Sequence, residues 1–119
     1  MHSTVLVVDD DASFRRLAAR TLASYGYAVI AEAGTIAEAL ARMDEVPHEA
    51  VLVDVGLPDG DGFTLARRLV ELPWSPRVVV VSSNSDGAQH SLARRVGAAG
   101  FVPKEDLPGD ALRRLLSGA

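Results

Sequence analysis

Val51-Leu52-Val53-Asp54-Val55-Gly56-Leu57-Pro58-Asp59-Gly60-Asp61-Gly62 compresses a whole structural unit into twelve residues. Its apolar run does not alternate with polar residues, the pattern of a strand buried on both faces of a parallel sheet. A carboxylate, Asp54, closes that run. Pro58 and the glycines at 60 and 62 then make a turn and a helix entry. Phe63, Leu65, Ala66 and Leu69 follow at helical spacing, so a helix is expected over about Gly62 to Leu72, with Pro73 and Pro76 closing the next loop.

The same unit recurs on both sides. Val5 to Val8 and Val78 to Val81 are further valine-rich runs, and Ala28 to Ala33 and Gly100 to Val102 are weaker ones expected at sheet edges. Helices are expected over about Ala12 to Tyr25, from Thr35 to Asp44 or Glu45, from Asp86 to Gly97, and over Pro108 to Leu116. Thr35 and Glu38 have the spacing of a capping box. Strand and helix thus alternate five times. Parallel strands need crossovers, and right-handed crossovers build a doubly wound α/β sheet with helices on both faces.

The chain has 119 residues, 48% hydrophobic and 24% charged, the size of one domain spanning 1–119. It contains no cysteine, so disulfides and thiolate metal sites are excluded and any metal must be held by oxygen or imidazole. The formal charge of -4 argues against a domain that grips nucleic acid directly, and the arginine pairs at 15–16, 67–68, 94–95 and 113–114 fall in four separate helices. No apolar stretch is long enough to cross a bilayer, and the start carries no signal-peptide pattern, so a cytoplasmic protein is expected.

In open parallel sheets, ligands bind beyond the carboxyl ends of the strands. Strand one ends in Asp9-Asp10-Asp11, strand three in Asp54 and strand four in Ser82-Ser83, and Lys104 follows strand five. Two carboxylates about 4 Å apart repel by about 4 kcal/mol at an effective dielectric near 20. A cation should relieve them, and oxygen ligands suit Mg²⁺. The loop from Asp9 to Phe14 has no glycine and no P-loop lysine, so it is not a nucleotide cradle. Asp11, just before Ala12, reads as a helix cap. His2, His48 and His90 are scattered and are not expected to bind metal, Ser83, Ser85 and Ser91 read as turn formers, and Trp74 reads as a packing residue.

Val7-Val8-Asp9-Asp10, the Asp54-to-Gly62 segment with Pro58, Ser82 and Lys104 together resemble the response-regulator receiver family of bacterial two-component systems. The resemblance spans essentially the whole chain. It implies a flavodoxin-like sheet of strand order 2-1-3-4-5 with five helices. It further implies that Asp54 accepts a phosphoryl group from a phosphohistidine of a sensor histidine kinase or phosphotransfer protein. Asp10 and Asp54 would bind Mg²⁺ through side chains and Gly56 through its carbonyl, with Asp9 assisting through water. Ser82 and Lys104 would each contact a phosphoryl oxygen, and Ser82 with Phe101 would form the switch. Phe101 lacks a tyrosine hydroxyl, so an inward ring is expected. Gly56 and Asn84 stand where the family borders its hydrolytic water. Pro103 precedes the lysine and Glu105 follows it, whereas the family often places proline after the lysine. Gly100 to Leu107 resembles receivers that precede a helix-turn-helix DNA-binding domain, so transcription control is the expected output, with homodimerisation on phosphorylation.

Such a receiver modifies itself and is not otherwise an enzyme. Two rival readings differ in class. An aspartate-based small-molecule phosphatase or phosphotransferase would need a cap or substrate pocket and, commonly, an aspartate where Gly56 stands. A degenerate receiver acting by protein contact alone is opposed by the complete set of acidic residues and lysine.

Overall fold

Valine-rich segments have nowhere to go but the interior, and they form the middle of the sheet. The computed structural model describes residues 4–83 and 87–117. The strands of the main sheet are β1 (Thr4–Val8), β2 (Ala28–Ala33), β3 (Ala50–Asp54), β4 (Arg77–Ser82) and β5 (Gly100–Pro103). They lie in the order β2-β1-β3-β4-β5, all pairs parallel. This is the doubly wound, flavodoxin-like order expected, with the two weaker strands at the edges. β1 and β2 slip register between Val5 and Leu6.

Successive strand residues point to opposite faces, and the two cores sort accordingly. Leu6, Val8, Val51, Val53, Val78 and Val80 face one side with Phe101. Against them pack α2 (Ile36–Glu45), α3 (Gly62–Val70) and α4 (Ala88–Arg95). Val5, Val7, Leu52, Val79, Val81 and Val102 face the other side, covered by α1 (Ala12–Ser24) and α5 (Asp110–Ser117). Each fully buried valine or leucine contributes about 1.5–3 kcal/mol by leaving water.

Several boundaries differ from the sequence expectation. α3 ends at Val70 rather than Leu72, because the Leu72 N–H turns back to Leu69 and the chain enters a tight turn. In that turn Ser75 has φ 45°, and Trp74 is 40% exposed, so its role is not core packing. α5 starts at Asp110, not Pro108, after a 3₁₀ turn at Lys104–Asp106. α4 begins at Ala88 with Gly87 as its cap, and Ser91 lies inside it rather than in a turn. Met1, His2, Asn84, Ser85 and Asp86 lie outside the described residues. A two-residue hairpin, Gly56–Leu57 against Gly60–Asp61, was not foreseen. Glu38 does reach back as the capping box requires, but onto the Gly34 N–H (2.7 Å), while Thr35 Oγ1 accepts from the Glu38 N–H (3.0 Å).

Candidate functional site

Three strand ends deliver carboxylates and a hydroxyl to one rim. Asp9, just past β1, is fully buried, and its N–H donates to Ala33 O (2.9 Å). Asp10 beside it is exposed. Asp11 caps α1 as expected, accepting from the Ser13 and Phe14 N–H groups at 2.9 and 3.4 Å. Asp54 ends β3 and is 7% exposed. One oxygen from each of Asp9, Asp10 and Asp54 lies within 4.8 Å of the others.

Lys104 answers that negative charge. Its Nζ lies 2.7 Å from Asp9 Oδ2 and 3.4 Å from Asp54 Oδ1. Burial opposes a charged ammonium here, but the two carboxylates outweigh it and hold the lysine above its usual range. Asp54 is affected the other way. Burial first, then repulsion from Asp9, raise its carboxyl to about 6 against the opposing pull of Lys104. It stays ionised at neutral pH, yet it is more basic than an ordinary aspartate, as a carboxylate nucleophile should be.

The donor set suits a hard cation. All three side chains offer oxygen, and Asp9 Oδ2, although buried, has no aligned hydrogen bond. A Cβ added to Gly56 would sit 4.0 Å from Asp54 Oδ2, so the backbone there runs beside the Asp54 carboxylate. Gly62 has a stricter reason to be glycine, because its Cβ would fall 2.0 Å from the Asp54 carbonyl oxygen. Gly62 opens α3 as the sequence predicts, and close approach of two backbones adds the reason that it must be glycine.

Ser82, 8% exposed, ends β4, whose Val81 pairs with Asp54. Phe101 is 4% exposed and points inward, its ring 4.9 Å from that of His90 and nearly perpendicular to it (81°). No cis peptide occurs among the described residues, and Pro103 closes β5 opposite Ser82. His48 and His90 stand apart from the acidic trio. His48 is buried, which pushes its pKa down, and its Nδ1 has no partner.

Three residues at the rim were not read from sequence. Arg15, taken as part of a solvated helix face, donates through Nη1 to the Asp9 carbonyl (2.5 Å) and through Nε to Glu32 (2.8 Å). The signal for it existed, since helix side chains lean toward the N-terminus and a first-turn residue can reach the strand end. Asp59 accepts the N–H groups of Ile36 (2.8 Å) and Ala37 (3.1 Å), pinning the hairpin to the start of α2. The Ile36 N–H in particular holds the Asp59 carboxyl below its usual range. Partners more than twenty residues away leave no local signal. Phe14, part of the core that α1 and α5 cover, has its ring beneath the Lys104 ammonium.

Comparison with known proteins agrees with this geometry. A sequence model described as "Response regulator receiver domain" matches residues 5–115. The chain is 32% identical over 114 residues to a protein-glutamate methylesterase/protein-glutamine glutaminase of Alkalilimnicola ehrlichii, covering 92% of this chain and 29% of that protein. It is 35% identical over 111 residues to the DNA-binding transcriptional activator DevR/DosR of Mycobacterium tuberculosis, covering 92% of this chain and 51% of that one. The chain therefore spans from under a third to about half the length of these relatives. Among solved structures, a LuxR-family two-component response regulator from Aurantimonas superposes with a TM-score of 0.88 at 27% identity, covering 99% of this chain and 87% of that one. With the acidic trio, the lysine and the sheet order already in place, the match leaves one assignment: the chain belongs to the response-regulator receiver family, the phosphorylation-dependent switches of two-component signalling.

Proposed function

We propose that Asp54 is the phosphoacceptor, taking its phosphoryl group from a phosphohistidine of a sensor histidine kinase or phosphotransfer protein. The observation that carries this reading is Lys104 Nζ standing 3.4 Å from Asp54 Oδ1 while Asp54, its carboxyl raised to about 6, remains ionised at neutral pH. A carboxylate oxygen of Asp54 forms the new P–O bond as the P–N bond breaks. The donor imidazole nitrogen keeps the electron pair. Lys104 pairs with one phosphoryl oxygen and the Ser82 hydroxyl donates to another, stabilising the charge that spreads over them.

Asp10 and Asp54 would hold Mg²⁺ through their side chains and Gly56 through its carbonyl, with Asp9 assisting through water. The ion supplies neutralisation of the phosphoryl and carboxylate charge. Movement of Ser82 toward the phosphoryl group opens space at β4 that Phe101 occupies, and this changes the surface formed by α4 and β5. Two similar proteins, the activator DevR/DosR and the LuxR-family regulator, favour transcription as the output. Self-association on phosphorylation, a cytoplasmic setting and no catalysis beyond the domain's own modification complete the reading. Among the described residues no helix is long and apolar enough to cross a membrane.

Incubation with acetyl phosphate and Mg²⁺, followed by intact-mass measurement, tests the assignment. The parent protein should gain one phosphoryl mass, and Asp54→Asn or a chelator should prevent the gain. A parent that gains nothing would sink the proposal.

A further inference from the structure

Lys104 is the one cation ion-paired to the acidic trio among the described residues, and its two ionic contacts differ in kind. The contact to Asp9 Oδ2 is short but not aligned as a hydrogen bond, and the contact to Asp54 Oδ1 is long. A third contact is of another kind. The ammonium nitrogen stands 4.4 Å from the centroid of the Phe14 ring. That ring is 7% exposed, and the Phe14 N–H donates to Asp11, the cap that follows Asp9 and Asp10. The ring is therefore fixed to the same rim as the carboxylates.

The two carboxylate contacts share a weakness that the ring does not. When Asp54 becomes an acyl phosphate its own oxygens lose their charge, and a cation held by the trio competes for Asp9. An aromatic face attracts an ammonium through its quadrupole, with little dependence on where the N–H bonds point. We propose that Phe14 is a positioning residue for Lys104, its ring holding the ammonium over the acceptor while the N–H bonds turn from carboxylate to phosphoryl oxygens. This inference rests on the roles given to Asp54 and Lys104 under Proposed function.

A double-mutant cycle tests it. Phe14→Leu, Phe14→Met and Phe14→Tyr are made in the parent and in Lys104→Met, and labelling by acetyl phosphate with Mg²⁺ is followed by intact mass. Leucine or methionine should slow labelling about two- to fivefold in the parent, the range a partly exposed cation–π contact supports. Tyrosine, which keeps the ring, should restore the rate. In Lys104→Met the same substitutions should change nothing further. Equal slowing in both backgrounds, or tyrosine as slow as leucine, overturns the proposal, because lost packing does not depend on an ammonium. NMR gives a readout independent of labelling. The Lys104 ε-protons of the parent should be shifted upfield by the ring and return on Phe14→Leu, and their absence from the ring current overturns the proposal even if the variants misfold. Failure of the parent to label, with the ring-current shift present, would strike the Asp54 assignment and leave the Phe14–Lys104 contact standing.

Discussion

α3 and α4 pack on the same face of the sheet, yet they are held very differently. α3 buries Gly62, Phe63, Leu65, Ala66 and Leu69, and its cap Asp61 accepts the Phe63 N–H at 2.8 Å. α4 buries Ala93 alone and leaves Leu92 37% exposed. The first follows Asp54 and the second follows Ser82. The helix that follows Asp54 is thus anchored, while the helix that follows Ser82 is lightly held, as the less stable parts of a fold are. His90 adds to the contrast, since its contact with Phe101 ties α4 to β5 through a ring edge rather than through a packed stripe.

Truncation should expose this asymmetry most strongly. Leu69→Ala in α3 should cost about 3 kcal/mol in urea unfolding, since the side chain is fully buried. Leu92→Ala in α4 should stay within about 0.5 kcal/mol. Similar losses at the two sites would mean that α4 is anchored as firmly as α3.

Next in size is the charge of Asp54, the proposed acceptor. Its carboxyl titrates near 6 in the fold against 3.8 ordinarily. The native state therefore binds that proton more tightly than the unfolded chain between about pH 4 and 6. The stability contributed by this group is highest below pH 4, falls as pH rises through that window and is flat above it. The total is at most about 3 kcal/mol. In metal-free buffer the stability of the parent relative to Asp54→Asn should decline by up to that amount from pH 4 to 6. A difference that does not change with pH would remove the electrostatic cost assigned to Asp54.

The smallest effect concerns the cap. Asp61→Ala should cost about 1 kcal/mol by leaving the Phe63 N–H unsatisfied, measured by thermal or urea unfolding. A loss of a few tenths would place the anchoring of α3 entirely in its buried side chains.

What could be read from sequence was whatever depends on neighbours in the chain. The five strands were legible because unalternated valine runs have one good use, and the Asp11 cap because a single turn decides it. Asp9, Asp10, Asp54, Ser82 and Lys104 could be placed on one rim from topology alone. That Asp9 is buried and Asp10 exposed could not be seen, because it depends on how α1 and β2 close over the strand end. The hairpin at Gly56–Leu57 and Gly60–Asp61 has strands too short for any periodicity. The Asp59 cap on α2 and the Phe14 ring under Lys104 arise only after distant segments meet. Trp74 misled because an aromatic between prolines offers no pattern to say which way it faces.

The register slip in β2 has a meaning for how copies of this domain can meet. β2 is one free border of the sheet, and the slip between its pairings to Val5 and Leu6 breaks the even ladder that a foreign strand would copy. At the opposite border β5 offers only four residues, Gly100 to Pro103, too short a template for another strand. Both borders are blunted against strand addition, so a second molecule is steered to the helical surfaces, and sheet-to-sheet fusion of the kind that seeds aggregates is disfavoured from either side.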